Sequence, residues 1–161
     1  MTGEQPAPTP PGGRWTDSTC PVARTVDLIG DRWTLLIIRD AMDGARAFTD
    51  FQERLGVARN ILSVRLRRLV EHGILARRTA PSGKRQEYVL TEAGRNLFAT
   101  VVALRQWGER HLFAPHEPHS VLVDERGAIV PELQPRDAAG TALTVESTGV
   151  RKPDAAASPR T

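Results

Sequence analysis

The chain has 161 residues, enough for one domain with extensions, and a formal charge of +3. Its single cysteine excludes an internal disulfide, and no apolar run approaches the roughly 18–20 residues of a membrane span. The charge is uneven: residues 14–114 carry a net +6 and residues 115–161 a net −2, so a polyanion would dock on the middle block.

The opening stretch, MTGEQPAPTPPGGR, has no apolar core and no early positive cluster, so it is not expected to be a signal peptide. Pro, Gly and Thr dominate residues 1–16, which are expected to be disordered. A helix is expected from near Cys20, with Ser18 or Thr19 placed to cap it and Pro21 in its first turn. Val22, Val26 and Ile29 give it an apolar stripe, and Gly30 breaks it. Trp33, Leu36, Ile37 and Met42 follow helical spacing in a second helix that Asp43-Gly44 ends.

Thr49-Asp-Phe-Gln52 matches a capping box, in which Thr49 would accept from the amide of residue 52 and Gln52 from that of residue 49. The short helix it starts ends at Gly56. After a tight Gly56-Val57 turn, another helix is expected over residues 58–72 with Leu62, Leu66 and Leu69 inward. Helix, tight Gly turn, helix is the helix-turn-helix pattern. Residues 74–79 and 85–91 then alternate as two strands of a hairpin whose tip is Ala80-Pro-Ser-Gly-Lys84. Thr91 is placed to cap one long helix carrying Leu97, Val101, Leu104, Trp107 and Leu112, more apolar surface than a small domain covers. The expected fold is mainly α with a small β-hairpin wing, a winged helix-turn-helix over residues 17–114.

Between residues 54 and 85 stand nine Arg or Lys (Arg54, Arg59, Arg65, Arg67, Arg68, Arg77, Arg78, Lys84, Arg85) against one acid, Glu71. On the helix starting near residue 58, Asn60, Ser63, Val64 and Arg67 lie opposite the leucines. Asn pairs bidentately with adenine and Arg with guanine, while Arg59 at the helix N-terminus suits a phosphate. In isolation this would be a solvated polar face; the preceding tight turn and the adjoining basic wing make double-stranded DNA the expected partner. Ser82, Gly83, Lys84 and Arg85 at the wing tip suit backbone phosphate or the minor groove. Arg46, Thr49 and Arg78 are further backbone candidates, although one of Arg77 and Arg78 could simply brace the hairpin.

These motifs, in order and with their gaps, resemble the HxlR family of winged helix-turn-helix regulators. The resemblance rests on Cys20-Pro-Val-Ala, Leu28-Ile-Gly-Asp-Arg-Trp33, Phe48-Thr-Asp-Phe, Leu55-Gly, Ile61-Leu-Ser-Val-Arg-Leu-Arg-Arg-Leu69, Gly73-Ile-Leu and Tyr88-Val-Leu-Thr-Glu-Ala-Gly94, and covers about residues 18–113. It implies a homodimer on a pseudo-palindromic operator, with the N-terminal helix (Val22, Val26, Ile29) and the last long helix (Val101, Leu104, Trp107) as interface. The lack of a signal-like segment, a membrane-span-like run and a cysteine pair suits a cytoplasmic protein. A repressor is expected, and with no Gly-rich phosphate loop and no nucleophile elbow an enzyme is not.

Cys20 matches a cysteine that some members of the family use to sense oxidants or electrophiles. A helix N-terminus with Arg24 one turn on favours a thiolate. Two readings stay open, a redox sensor and a structural thiol in a regulator with a small-molecule effector. From another class, a thiol enzyme or a non-DNA interaction module is the rival; Pro21, Val22 and Ala23 supply no polar pocket for the former.

From residue 115 the texture changes. Val121–Val123 and Ala128–Val130 flank a turn at Asp124–Gly127, and the frame to Pro131-Glu-Leu133 resembles a zinc-ribbon-like module without any cysteine. A thiolate metal site is excluded, His111, His116 and His119 are not assigned to a metal, and no cofactor is expected. No internal repeat is expected, and residues 147–161 are expected to be disordered.

Overall fold

A computed structural model describes residues 9–153. Its elements in chain order are α1 (Pro21–Ile29), α2 (Arg32–Met42), α3 (Phe48–Leu55), α4 (Arg59–Glu71), β1 (Leu75–Thr79), β2 (Gln86–Leu90), α5 (Glu92–Asn96) and α6 (Phe98–His111). The chain divides into two compact units, one ending at Phe98 and the other beginning at Ala99. The disorder expected at the two ends falls partly on residues 1–8 and 154–161, outside the described residues.

Order begins earlier than the composition of residues 1–16 suggests. The Thr16 amide and hydroxyl donate to the two Asp27 oxygens, at 2.8 and 2.7 Å. The amide bond is the larger cause of Asp27's carboxyl lying below its ordinary value; the hydroxyl bond adds to it. Arg24 donates from Nε to the Ser18 carbonyl and lies over the Trp15 ring. The α1 cap is neither Ser18 nor Thr19. Cys20 Sγ accepts from the Ala23 amide at 3.4 Å, and the Thr19 hydroxyl turns to Asp17.

The first unit's core forms where apolar faces converge. Ile37, Ile38 and Ala41 on α2, Phe51 on α3, Leu62, Leu66 and Leu69 on α4, and Leu75 on β1 are at most 2% exposed. Each large side chain of this set contributes roughly 1.5–3 kcal/mol by leaving water. Ile29 belongs with them, at 4% exposure, so it is not available to a partner as the sequence suggested. Asp31 caps α2 by accepting from the Trp33 and Thr34 amides, each at 3.2 Å.

The capping box expected at Thr49 is displaced. α3 starts two residues earlier, with Ala47 as its cap residue, and Asp50 does the reaching back. Its Oδ2 accepts from the Arg46 and Ala47 amides at 2.9 and 2.8 Å. A carboxylate two residues into the helix also suits the dipole. Gly56 ends α3 in the left-handed region (φ 59°), which lets the chain turn directly into α4.

β1 and β2 pair antiparallel from Leu75↔Leu90 to Thr79↔Gln86. The Tyr88 amide donates to the Arg46 carbonyl, which fastens the base of the wing to the segment before α3. Thr91 caps α5 through the Gly94 amide, and a Cβ on Gly94 would stand 2.2 Å from the Ile74 carbonyl oxygen. Glycine is therefore required by that close approach. The single long helix expected after Thr91 is two helices, interrupted at Leu97.

In the second unit, polar side chains of α6 fasten the extension. Gln106 acts like a strand residue: Nε2 donates to the Pro131 carbonyl at 2.9 Å and Oε1 accepts from the Leu133 amide at 2.8 Å. Arg105 donates to Ser120, and Arg110 pairs with Glu132. The expected turn at Asp124–Gly127 forms, with Val123 bridged to Ile129. It has a twin that the sequence did not suggest, with Arg136 bridged to Ala142 around Asp137–Gly140. Asp124 Oδ1 accepts from the Arg126 and Ala128 amides, and Asp137 Oδ1 from the Ala139 and Thr141 amides. One oxygen of each carboxylate thus closes its own turn. These residues do not fit the zinc that a ribbon-like module implies, since the chain offers no thiolate there.

Asp50→Ala should cost about 0.5–2 kcal/mol at neutral pH, the usual value of a lost helix cap. The Arg46 and Ala47 amides hold the Asp50 carboxyl below its ordinary value. Its contribution is therefore complete above the ordinary carboxylate range and fades as pH falls through the lowered value. Urea melts of wild type and variant at neutral pH and in strong acid check this; a gap that persists undiminished in acid contradicts it.

Candidate nucleic-acid interface

Burying one side of α4 dictates what its other side presents. Leu62 and Leu66 are fully buried, so Asn60, Ser63, Val64 and Arg67, about half a turn away, are exposed. Ile61, on the margin of this face, is also exposed and was not singled out from the sequence. Arg67 lies 3.7 Å from Glu71 one turn on, with both side chains more than half exposed. Such a pair is worth a few tenths of a kcal/mol and does not hold Arg67 back from a better partner.

Arg59 opens α4 and its guanidinium stacks over the Phe48 ring, 4.7 Å from the centroid. Phe48 opens α3, so this contact brings the first turns of the two helices together. Thr49 is exposed in the same first turn of α3. The arrangement leaves the edge of the Arg59 guanidinium available to an anion.

The wing tip is a tight turn. The Ala80 amide donates to the Arg85 carbonyl at 2.7 Å and the Gly83 amide to the Ala80 carbonyl at 2.8 Å. Gly83 has φ 72°, where other residues are strained, and Ser82, Gly83, Lys84 and Arg85 are all exposed. Arg85 is close enough to Asp50 to contribute, after the amides and Arg54, to holding that carboxyl low. The Tyr88 amide's bond to the Arg46 carbonyl keeps β2 beside the segment that leads into α3.

Two of the candidate cations are already committed within the fold. Arg46 donates from one guanidinium nitrogen to the Ala41 and Ala45 carbonyls at 2.8 and 2.9 Å. Arg78 pairs across the hairpin with Glu87 at 3.2 Å, the bracing role the sequence left open between Arg77 and Arg78. Neither commitment has a sequence signal beyond an acid or carbonyl that happens to fold opposite. Arg54, counted in the basic run, donates to the Asp43 carbonyl.

Of the apolar residues expected at a dimer interface, Val22 and Val26 on α1 are 70% and 57% exposed, and Leu104 and Trp107 on α6 are 51% and 57% exposed. Val101 is half-buried. Cys20 is a half-buried free thiol whose sulfur caps α1. Among the described residues no cluster of three or more His, Cys, Asp or Glu could hold a metal ion, and no helix is long and apolar enough to cross a membrane.

Comparison with known proteins agrees with this geometry. Residues 28–116 match the HxlR-like helix-turn-helix family. An HTH-type transcriptional regulator of Mycobacterium tuberculosis is 50% identical over 98 residues, which span 60% of this chain and 62% of that protein. The chain thus matches less than two thirds of that relative's length. The structure of PA1607, a candidate transcription factor, superposes with a TM-score of 0.81 at 51% identity and covers 84% of this chain and 96% of its own. The reduced form of the redox regulator HypR superposes with a TM-score of 0.54 at 32% identity, covering 58% of this chain and 94% of its own. With a helix-turn-helix, a two-stranded wing and this family match, the chain belongs to the HxlR-like helix-turn-helix family.

Proposed function

We propose that the protein binds duplex DNA as a homodimer and represses transcription from a pseudo-palindromic operator. The observation that carries this is the exposed face of α4, Asn60, Ser63, Val64 and Arg67, together with the exposed Lys84-Arg85 tip and Arg59 on its Phe48 shelf. α4 is the reading helix in the major groove, where Asn and Arg have bidentate partners on base edges. The wing tip, Arg59 and Thr49 hold the backbone. Residues 17–114 act as the DNA-binding and dimerisation part of the chain, and the acidic extension, in which two carboxylates close turns, has no part in recognition. Dimerisation uses two apolar patches, Val22 and Val26 on α1 and Leu104 and Trp107 on α6. Selection of bound sequences from a random duplex library tests the whole reading: a two-fold symmetric motif supports it, and an unenriched pool contradicts it.

A second reading, in which Cys20 senses oxidants or electrophiles, is favoured by its place as the α1 cap and by the likeness to HypR. Modifying that sulfur removes the acceptor of the Ala23 amide and loosens the helix carrying Val22 and Val26. Diamide should then lower operator affinity of the wild type and leave Cys20→Ser unaffected. Equal responses of the two would leave Cys20 a structural thiol, and the effector a small molecule.

Arg67→Ala should weaken selected DNA by about 1–3 kcal/mol per half-site and relax the preference at one base position. An equal loss on selected and random DNA would make Arg67 a phosphate contact.

Lys84→Ala with Arg85→Ala should weaken all DNA alike. The slope of log affinity against log salt should fall by about 0.9 for every phosphate the wing no longer neutralises, and an unchanged slope would remove the wing from the interface.

Leu104→Glu puts a charge into an apolar contact, which is costly when unpaired. Sedimentation should show a folded monomer that binds selected DNA poorly; a folded dimer would move the interface away from α6.

A further inference from the structure

Two arginines of α4, Arg65 and Arg68, are only half exposed, and Arg65 meets an acid. Arg65 stands on the flank of the helix, between the buried leucines and the reading face. Its side chain is 26% exposed, against 65% for Arg67. Its Nε lies 3.0 Å from Asp31 Oδ1. That contact is an ion pair without hydrogen-bond alignment, since the nitrogen is buried and has no aligned acceptor among the described residues. Asp31 is itself held rigidly. Its Oδ1 accepts from the Trp33 and Thr34 amides and its Oδ2 from the Thr34 hydroxyl, so the carboxylate is a fixed part of the α2 N-terminus.

We infer that Asp31 is a positioning residue for DNA readout, acting through Arg65 to set the roll of α4 on the scaffold helix. The inference rests on α4 being the reading helix. A leucine stripe fixes which side of a helix faces the core, but apolar contacts tolerate small rotations because they are not directional. A charge pair on one flank resists rotation. The lever is considerable: at a side-chain radius of about 5–6 Å, a roll of about 20° moves the reading groups by ~2 Å. Hydrogen bonds to base edges fail over such a distance. Long Lys and Arg side chains reaching phosphates absorb it. Loss of the pair should therefore cost discrimination between sequences more than overall affinity.

The test separates the cap from the ion pair. Asn caps helices about as well as Asp, so Asp31→Asn keeps the α2 N-terminus and neutralises the partner of Arg65. Arg65→Met removes the cation and keeps an apolar stem. Affinities for a library-selected duplex and for random duplex are measured for wild type, both single variants and the double variant, over a salt series, with thermal melts alongside. Each single variant should lower the ratio of selected to random affinity by roughly 3- to 10-fold, with the double variant no worse than either, as coupled residues behave. The salt slope should stay at the wild-type value and the melts should remain cooperative. Three outcomes overturn the inference: unchanged discrimination in Asp31→Asn, additive losses in the double variant, or a flatter salt slope in Arg65→Met, which would make Arg65 a phosphate contact. A wild type that fails to discriminate between sequences overturns the DNA reading, and this inference with it.

Discussion

Burial of Leu62, Leu66 and Leu69 on α4 is the constraint on which the rest of the first unit depends. With Ile37, Ile38 and Ala41 of α2 and Phe51 of α3 they make the apolar centre that holds three helices together. A helix cannot bury one stripe without presenting the opposite one. Asn60, Ser63, Val64 and Arg67 are therefore displayed as a consequence of packing. Gly56 shortens the approach to α4 to a single left-handed turn, and the Tyr88 to Arg46 backbone bond brings the wing alongside the same helices.

The basic run divides by what each cation meets in the fold. Arg65 turns to Asp31, Arg78 to Glu87, and Arg54 to the Asp43 carbonyl. Arg59 is stacked on Phe48, an interaction that orders the guanidinium without consuming all of its donors. Lys84 and Arg85 stand exposed at the wing tip, and Arg67 at the middle of the α4 face. A run that looks uniform in the sequence thus separates into braces and presented charges. The presented ones lie at the start of α4, along its exposed face, at the wing tip and, with Arg77, on β1 of the wing, which is where a duplex would be gripped.

Much of this was legible in the sequence because it depends on periodicity and turn chemistry. The α4 stripe, the Gly56 turn, the hairpin and its Gly83 tip all follow from spacing and residue type. What escaped depends on which group wins a local competition. Asp50, and not Gln52, does the reaching back because its carboxylate accepts the Arg46 and Ala47 amides just before α3 at once. Cys20 took the cap that Ser18 or Thr19 was expected to fill, since the Thr19 hydroxyl already had Asp17. The break at Leu97 has no proline or glycine at the site to announce it. Ile29 looked like interface because its helix carries an apolar stripe, but the innermost residue of that stripe is used by the chain's own core. The second Asp-x-x-Gly turn gave no signal because Arg136 and Ala142, unlike Val123 and Ile129, do not read as strand residues.

The central claim is that α4 reads base edges in the major groove. Methylation interference on a duplex selected by the protein tests it most directly, because methylating guanine N7 blocks an acceptor that only the major groove exposes. The account predicts interference at guanines in two half-sites whose centres lie about 10–10.5 base pairs, or a multiple of that, apart on one face of the duplex. Full binding to DNA methylated at every such guanine, with interference confined to adenine N3 in the minor groove, would contradict it.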